Sequence, residues 1–338
     1  MRAVRVVWVS VFAFVIVLHG RAAFAQEALE QEGPAEDDPE AQGPLEGHTT
    51  PGFAPGPGAQ PEELPHARWN PDWRKAGFWD AVVVSAGSLF YIAESQIELG
   101  GNRASWTGPI LFDRAVRDAL RSETSGGRST AGTISDVMMV GSLVHNVLFD
   151  NLFIAWVLHG EPELAWQMSV MNAEAYAIAL SLTSLTKVAS ARARPMVQEC
   201  TSDPLYSPDC QALDRYRSFF SGHSTVTAVG AGLLCAHHLN LPLYDGGVVD
   251  TGTCIMGIGL TLATGAMRIA SDNHWATDVV TGHVVGFASG FLVPMLLYYN
   301  GSDEKSHGSG GASEGSRAVV LPMVGPDHIG VQATGFLR

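Results

Sequence analysis

Five long apolar segments, at residues 133–158, 163–192, 222–239, 251–270 and 274–299, limit what this chain can fold into. Each is too long for an ordinary strand and long enough for several helical turns. None shows the alternation of a half-buried strand. Gly, Ala, Ser and Thr are dense in them, which lets helix backbones approach closely. The expected fold class is all-α, a helical bundle with a large buried or lipid-facing area. The 46% hydrophobic and 16% charged residues agree with that.

Such a bundle sits either in a bilayer or as a compact body in the periplasm. The segments are long and apolar enough to span. The turns that would face the cytoplasm, Gly160-Glu161-Pro162-Glu163 and Tyr244-Asp245-Gly246-Gly247, contain no Lys or Arg. That runs against the positive-inside tendency. The embedded arrangement expects these five segments to cross and a helix at 78–96 not to.

The flanks are different in kind. Residues 1–25 read as an export signal of bacterial type: Arg2 and Arg5 precede an apolar run at 6–18, and Ala23-Phe24-Ala25 offers a small-x-small cleavage site. An uncleaved anchor is the alternative. Residues 26–66 hold Pro34, Pro39, Pro44, Pro51, Pro55, Pro57, Pro61 and Pro65, and ten Asp and Glu without a Lys or Arg. This is an expected disordered linker, and it carries most of the net charge of −14. No basic stripe remains, so nucleic acid is not an expected partner. The ordered domain is expected over 67–300, followed by a Gly/Ser linker and C-terminal tail over 301–338, in which 318–338 forms a small hairpin or an ordered tail.

Within the domain, Trp69, Trp73 and Trp79 alternate with Arg68, Arg74 and Lys75, as an interfacial segment or as a helix anchored on the core. Gly100-Gly101 marks a turn, 111–122 a short amphipathic helix and 124–128 a loop. Cys200 and Cys210 lie in one polar loop and form a candidate disulfide. Cys235 and Cys254 read as small buried hydrophobes. No Cys or His spacing indicates a metal. His145, Asn146, Asp150 and Asn151 read as a satisfied buried network, and His237, His238 and His283 as surface or core histidines.

Three polar clusters interrupt the apolar segments. Lys187 and Arg194 are seven apart, two helical turns, with Pro195 ending the helix. Arg192, two residues from Arg194, is expected to point elsewhere, to the surface. Ser221-Gly222-His223 opens a helix, with Ser221 as cap and free N–H groups that suit an anion. Arg268 ends a segment, His274 opens the next, and Asp278 lies one turn on, able to accept a hydrogen bond from one ring nitrogen and leave the other free. Three cations among apolar helices ask for an anion between them. The reading is a phosphate pocket with a histidine nucleophile.

In order and spacing these clusters resemble the tripartite signature of the type 2 phosphatidic acid phosphatase and vanadium haloperoxidase superfamily, over about residues 130–300. The resemblance implies that His274 attacks phosphorus to give a phosphohistidine, Asp278 orients His274, and His223 protonates the leaving oxygen. It also implies that Lys187, Arg194, Ser221, Gly222 and Arg268 hold the phosphoryl oxygens. Phe220 stands where the family has Pro, and Met267 where it has Ser.

The expected protein is an exported phosphatase acting on a phosphorylated lipid or small phosphate ester, with no metal or cofactor. It is placed in the inner membrane with its active site facing the periplasm, or in the periplasm. The alternatives are a haloperoxidase, for which vanadate would be the cofactor, and a non-catalytic lipid-phosphate binding protein.

Overall fold

The computed structural model describes residues 66–96, 104–212, 214–300, 318–325 and 328–335. The export signal at 1–25, the linker at 26–66 apart from His66, the Gly100-Gly101 turn and the linker at 301–317 lie outside them.

The described helices are α1 (Phe78–Gln96), α2 (Asp113–Leu120), α3 (Ser125–Val144), which continues as a π-helix (His145–Leu158), α4 (Pro162–Ser190), the short α5 (Val197–Cys200), α6 (Gly222–Asn240), α7 (Gly247–Ala270) and α8 (Ala276–Leu297). The all-α expectation holds for this unit. A second unit, Gly301–Arg338, contains an antiparallel hairpin of β1 (Ala318–Gly325) and β2 (His328–Gly335), in register from Ala318–Gly335 to Gly325–His328. The stretch at 124–128 is not a loop. Thr124 caps α3 by accepting from Gly127 N–H at 3.0 Å, so the glycines form its first turn.

Helix α6 forms the centre and is buried along almost its whole length. Helix α8 lies against it through glycines four apart. A Cβ at Gly286 or Gly290 would meet the carbonyl oxygens of Thr225 or Val229 on α6. This close approach brings the N-terminal ends of α6 and α8 together, and Ser221 N–H donates to the Asp278 carbonyl at 3.1 Å.

Helix α1 runs beside α4 in the same direction. Ala76 N–H bonds the Gln167 side chain at the start of α4, and Gly87 accepts from Ser181 farther along. Helix α1 therefore runs alongside α4, while its apolar stretch, Phe78–Ala93, is shorter than a candidate span, as expected for 78–96. Its start, and the end of α8, lie at the end of the bundle remote from Ser221. There Ala67 and Trp69 pack with Leu164, Leu241, Leu243, Tyr298 and Tyr299, and Trp73 meets Tyr299 edge-on at 4.6 Å. Trp69 and Trp73 thus anchor on the core, while Trp79 is exposed.

The network expected of His145, Asn146, Asp150 and Asn151 is buried at this end but only partly satisfied, because Asn146 Oδ1 and Asn151 Oδ1 have no hydrogen-bond partner among the described residues. His237 bonds Asn172 at 2.8 Å and Tyr299 at 2.7 Å, His238 bonds Asp250 at 2.5 Å, and Tyr244 donates to Asp150 at 2.5 Å. Two disulfides are present. Cys200–Cys210 is as expected. Cys235–Cys254 was read as two free hydrophobes, but the residues face each other across α6 and α7 with Cα atoms 4.4 Å apart.

The outside of the bundle is apolar where the inside is rich in Ser, Thr, Gly, Asn and His. Trp156, Val157, Ile255, Met256, Val284 and Leu296 are exposed. Ser125–Leu158, Gly247–Ala270 and Ala276–Leu297 are long and apolar enough to cross a membrane. Apolar surface on this scale marks a face that meets lipid or protein rather than water.

Candidate active site

Helix α4 ends earlier than its spacing predicts. Ala191 takes a left-handed conformation, φ 40°, straight after Ser190. Residues 191–194 then run extended between two neighbours: Ala193 N–H donates to Trp106 O at 2.9 Å, Ser218 N–H to Arg192 O at 3.0 Å and Arg194 N–H to Arg215 O at 2.9 Å. The helical argument that sent Arg192 to the surface therefore fails. Its side chain is fully buried. It donates to Asp278 at 2.5 Å, Asp113 at 2.6 Å and Thr277 at 2.8 Å, with the Trp106 ring 4.0 Å from the guanidinium carbon.

Lys187 sits in the last turn of α4, its ammonium beside the backbone of Gly222. A Cβ there would be 3.4 Å from Nζ. Among the described residues no hydrogen bond or ion pair engages Lys187. Arg194 pairs with Asp214 and reaches Asn273 at 3.4 Å. Arg268 donates to Ser135 at 3.2 Å. The Nε atoms of Arg194 and Arg268 are buried without a partner. Three cations thus converge with spare donors, which is how an anion site is built.

Ser221 caps α6, and Ser224 Oγ lies 2.9 Å from its hydroxyl oxygen. His223, in the first turn, bonds Asp136 of α3 at 2.6 Å.

His274 is buried in the turn between α7 and α8. Its Nδ1–H donates to the Ser218 carbonyl at 2.9 Å, and Asp278 stands 3.7 Å away. The direct bond that the i, i+4 spacing suggests for Asp278 is taken by Ser218. Asp278 instead accepts from Ser218 Oγ at 2.5 Å, Trp275 N–H at 2.9 Å and Arg192. Ser218 therefore joins the histidine to the carboxylate with its two oxygens. This bond fixes the proton on Nδ1 and leaves Nε2, without a partner among the described residues, as the free lone pair. Burial, then Arg268, Arg194 and Lys187, holds His274 well below the usual histidine range, so it is neutral at ordinary pH.

All eight predicted catalytic and phosphate-binding positions gather at one end of the bundle. Ser221 is turned into its own helix cap, and Asp278 acts through Ser218. The sequence reading missed Asp136, Ser218, Arg192 and Asp113. Asp136 had a legible signal, a lone carboxylate at the start of an apolar run; Ser218 had none. Phe220 is buried against Phe219, and Met267 is half-buried on α7. Among the described residues no cluster of His, Cys, Asp and Glu has the arrangement of a metal site.

Residues 169–302 match the family model described as the PAP2 superfamily. The match takes in all three clusters and leaves out α1, α2, α3 and Asp136. No curated protein and no solved structure matches the chain.

Proposed function

We propose, from the match of residues 169–302 to the PAP2 superfamily, that the chain is a phosphatase that hydrolyses a phosphate monoester or lipid pyrophosphate at the pocket between Lys187 and His274. The observation that carries this is the unpaired Lys187 ammonium facing the same pocket as the free Nε2 of His274. Phosphoryl transfer needs positioning and neutralised charge above all, and Lys187, Arg194 and Arg268 with the Gly222 N–H supply both.

In this reading the Nε2 lone pair of His274 forms the N–P bond while the bond from phosphorus to the leaving oxygen breaks. His223 gives that oxygen its proton. Water then attacks phosphorus, the N–P bond breaks, and His223 recovers a proton from the water. The Ser218 carbonyl holds the growing imidazolium through Nδ1–H, and Asp278, fixed by Arg192, stabilises its charge. A bound phosphoryl dianion offsets the three cations, which raises His223 toward the protonated form it needs.

The apolar exterior favours a lipid-linked substrate and a membrane location. In an embedded bundle α1 crosses with the rest, so residues 67–77 and 298–300 share one side and the pocket lies on the other. Arg68, Arg74 and Lys75 on the shared side support a cytoplasmic position for it and an exported pocket. A cleaved export signal at 1–25 does not fit that arrangement, because residue 67 would then emerge on the pocket side.

The test is phosphate release by purified protein from phosphatidate, phosphatidylglycerophosphate, undecaprenyl pyrophosphate and soluble phosphate esters. Release from one lipid class, lost in His274→Ala, supports the proposal. Substrate binding with no turnover at any pH from about 4 to 8, the range around the ordinary histidine pKa, overturns it.

A further inference from the structure

The guanidinium of Arg194 already holds an anion. Asp214 pairs with its terminal nitrogen, and its side chain stays 42% exposed at the mouth of the pocket. The loop that carries it is tied down on several sides. The Cys200–Cys210 disulfide closes the stretch just before Asp214. Tyr206 donates to Asp272 at 2.9 Å and lies under Arg128, whose guanidinium carbon is 3.7 Å from the ring centre. Arg215 O accepts from Arg194 N–H at 2.9 Å, so Asp214 is attached to Arg194 through its neighbour as well. Its charge also reaches Lys187 and Arg268. A carboxylate at this place is a built part of the pocket, and it occupies donors that a phosphoryl oxygen would use.

We propose that Asp214 is an internal rival to phosphate at Arg194, and that it sets how weakly the pocket holds free phosphate. The inference rests on the reading of this pocket as a phosphate site. A substrate ester brings contacts beyond the phosphoryl group and so displaces Asp214 from Arg194. The free phosphate product has only the pocket. Three cations and a helix N-terminus would hold that dianion tightly in a water-poor site. Return of Asp214 to Arg194 replaces one of its bonds and repels it. Asp214 thereby favours product release and separates ester from product by affinity.

A purely structural role makes the opposite prediction. If Asp214 serves only to orient Arg194, its loss frees the guanidinium and weakens phosphate binding.

The experiment measures binding of inorganic phosphate to the full chain in detergent micelles, by its concentration-dependent rise in melting temperature, so that no turnover is needed. Asp214→Asn is nearly isosteric and tightens phosphate by about fivefold, the scale of one partly exposed charge pair. Asp214→Ser shifts it in the same direction. Asp214→Glu keeps the charge and stays near wild type. The gain shrinks as salt rises. Unchanged or weaker phosphate binding in Asp214→Asn and Asp214→Ser, with wild type binding normally, overturns the role of Asp214 and leaves the phosphatase reading standing. Absence of phosphate binding in wild type and variants alike overturns both.

Discussion

Arg192 and Asp278, 86 residues apart, form an ion pair at 2.5 Å in which neither side chain meets water. It ties the extended exit of α4 to the first turn of α8, and so places Lys187 and Arg194 opposite His274. Asp113 completes the arrangement by accepting from Arg192 and from Thr277 N–H at 2.8 Å.

Removing Arg192 strands two buried carboxylates. Arg192→Met is expected to cost about 3–5 kcal/mol of stability, the usual penalty for breaking a buried pair from one side. Arg192→Lys does not restore it, because one ammonium cannot reach Asp113, Asp278 and Thr277 together. Thermal unfolding in detergent checks both.

Asp136 accepts a hydrogen bond from His223 at 2.6 Å, and a carboxylate there favours the charged imidazole. Its removal moves the His223 limb of the pH–rate profile to lower pH, so activity is lost first at the alkaline side. With Asp136→Asn, kcat/KM at pH 7 falls and recovers toward acid pH. A uniform loss at every pH would assign Asp136 to structure alone.

Helices α6 and α8 touch through backbone. Gly286→Ala places a methyl against Thr225 O and within 2.8 Å of the Ala228 Cβ, and is expected to destabilise by about 1–3 kcal/mol. Gly259→Ala on α7, where nothing lies within 4 Å, is expected to be neutral or stabilising by about 0.5–1 kcal/mol. Melting temperatures of the two variants separate close packing from helix propensity.

An embedded bundle would put its two ends on opposite sides of the membrane. In intact cells an impermeant thiol reagent is expected to label Leu205→Cys, on the pocket-side loop, and not Asp72→Cys. Labelling of both from the same side would rule out an embedded bundle with α1 crossing.

The helices were legible because their apolar runs are long, and the charged and histidine residues that gather at one end of the bundle because they stand out as lone polar groups within those runs. What escaped depends on where a chain turns. Ala191 gives no warning that α4 stops there, so the spacing of Lys187, Arg192 and Arg194 was read on a helix that had already ended. Ser218 acts mainly through its backbone carbonyl, which any residue could supply. The Cys235–Cys254 bridge needs knowledge of which faces of α6 and α7 meet, and periodicity alone does not give it. The packing of α1 along α4 escaped because it appears only in the fold.

The central claim is covalent chemistry at the Nε2 of His274. Rapid acid-free quenching of the full chain with a phosphorus-labelled lipid phosphate is expected to trap label on the protein in an acid-labile, alkali-stable form, absent in His274→Gln with the protein still folded. Label that persists in His274→Gln, or turnover with no histidine-bound phosphate in wild type, would contradict the account.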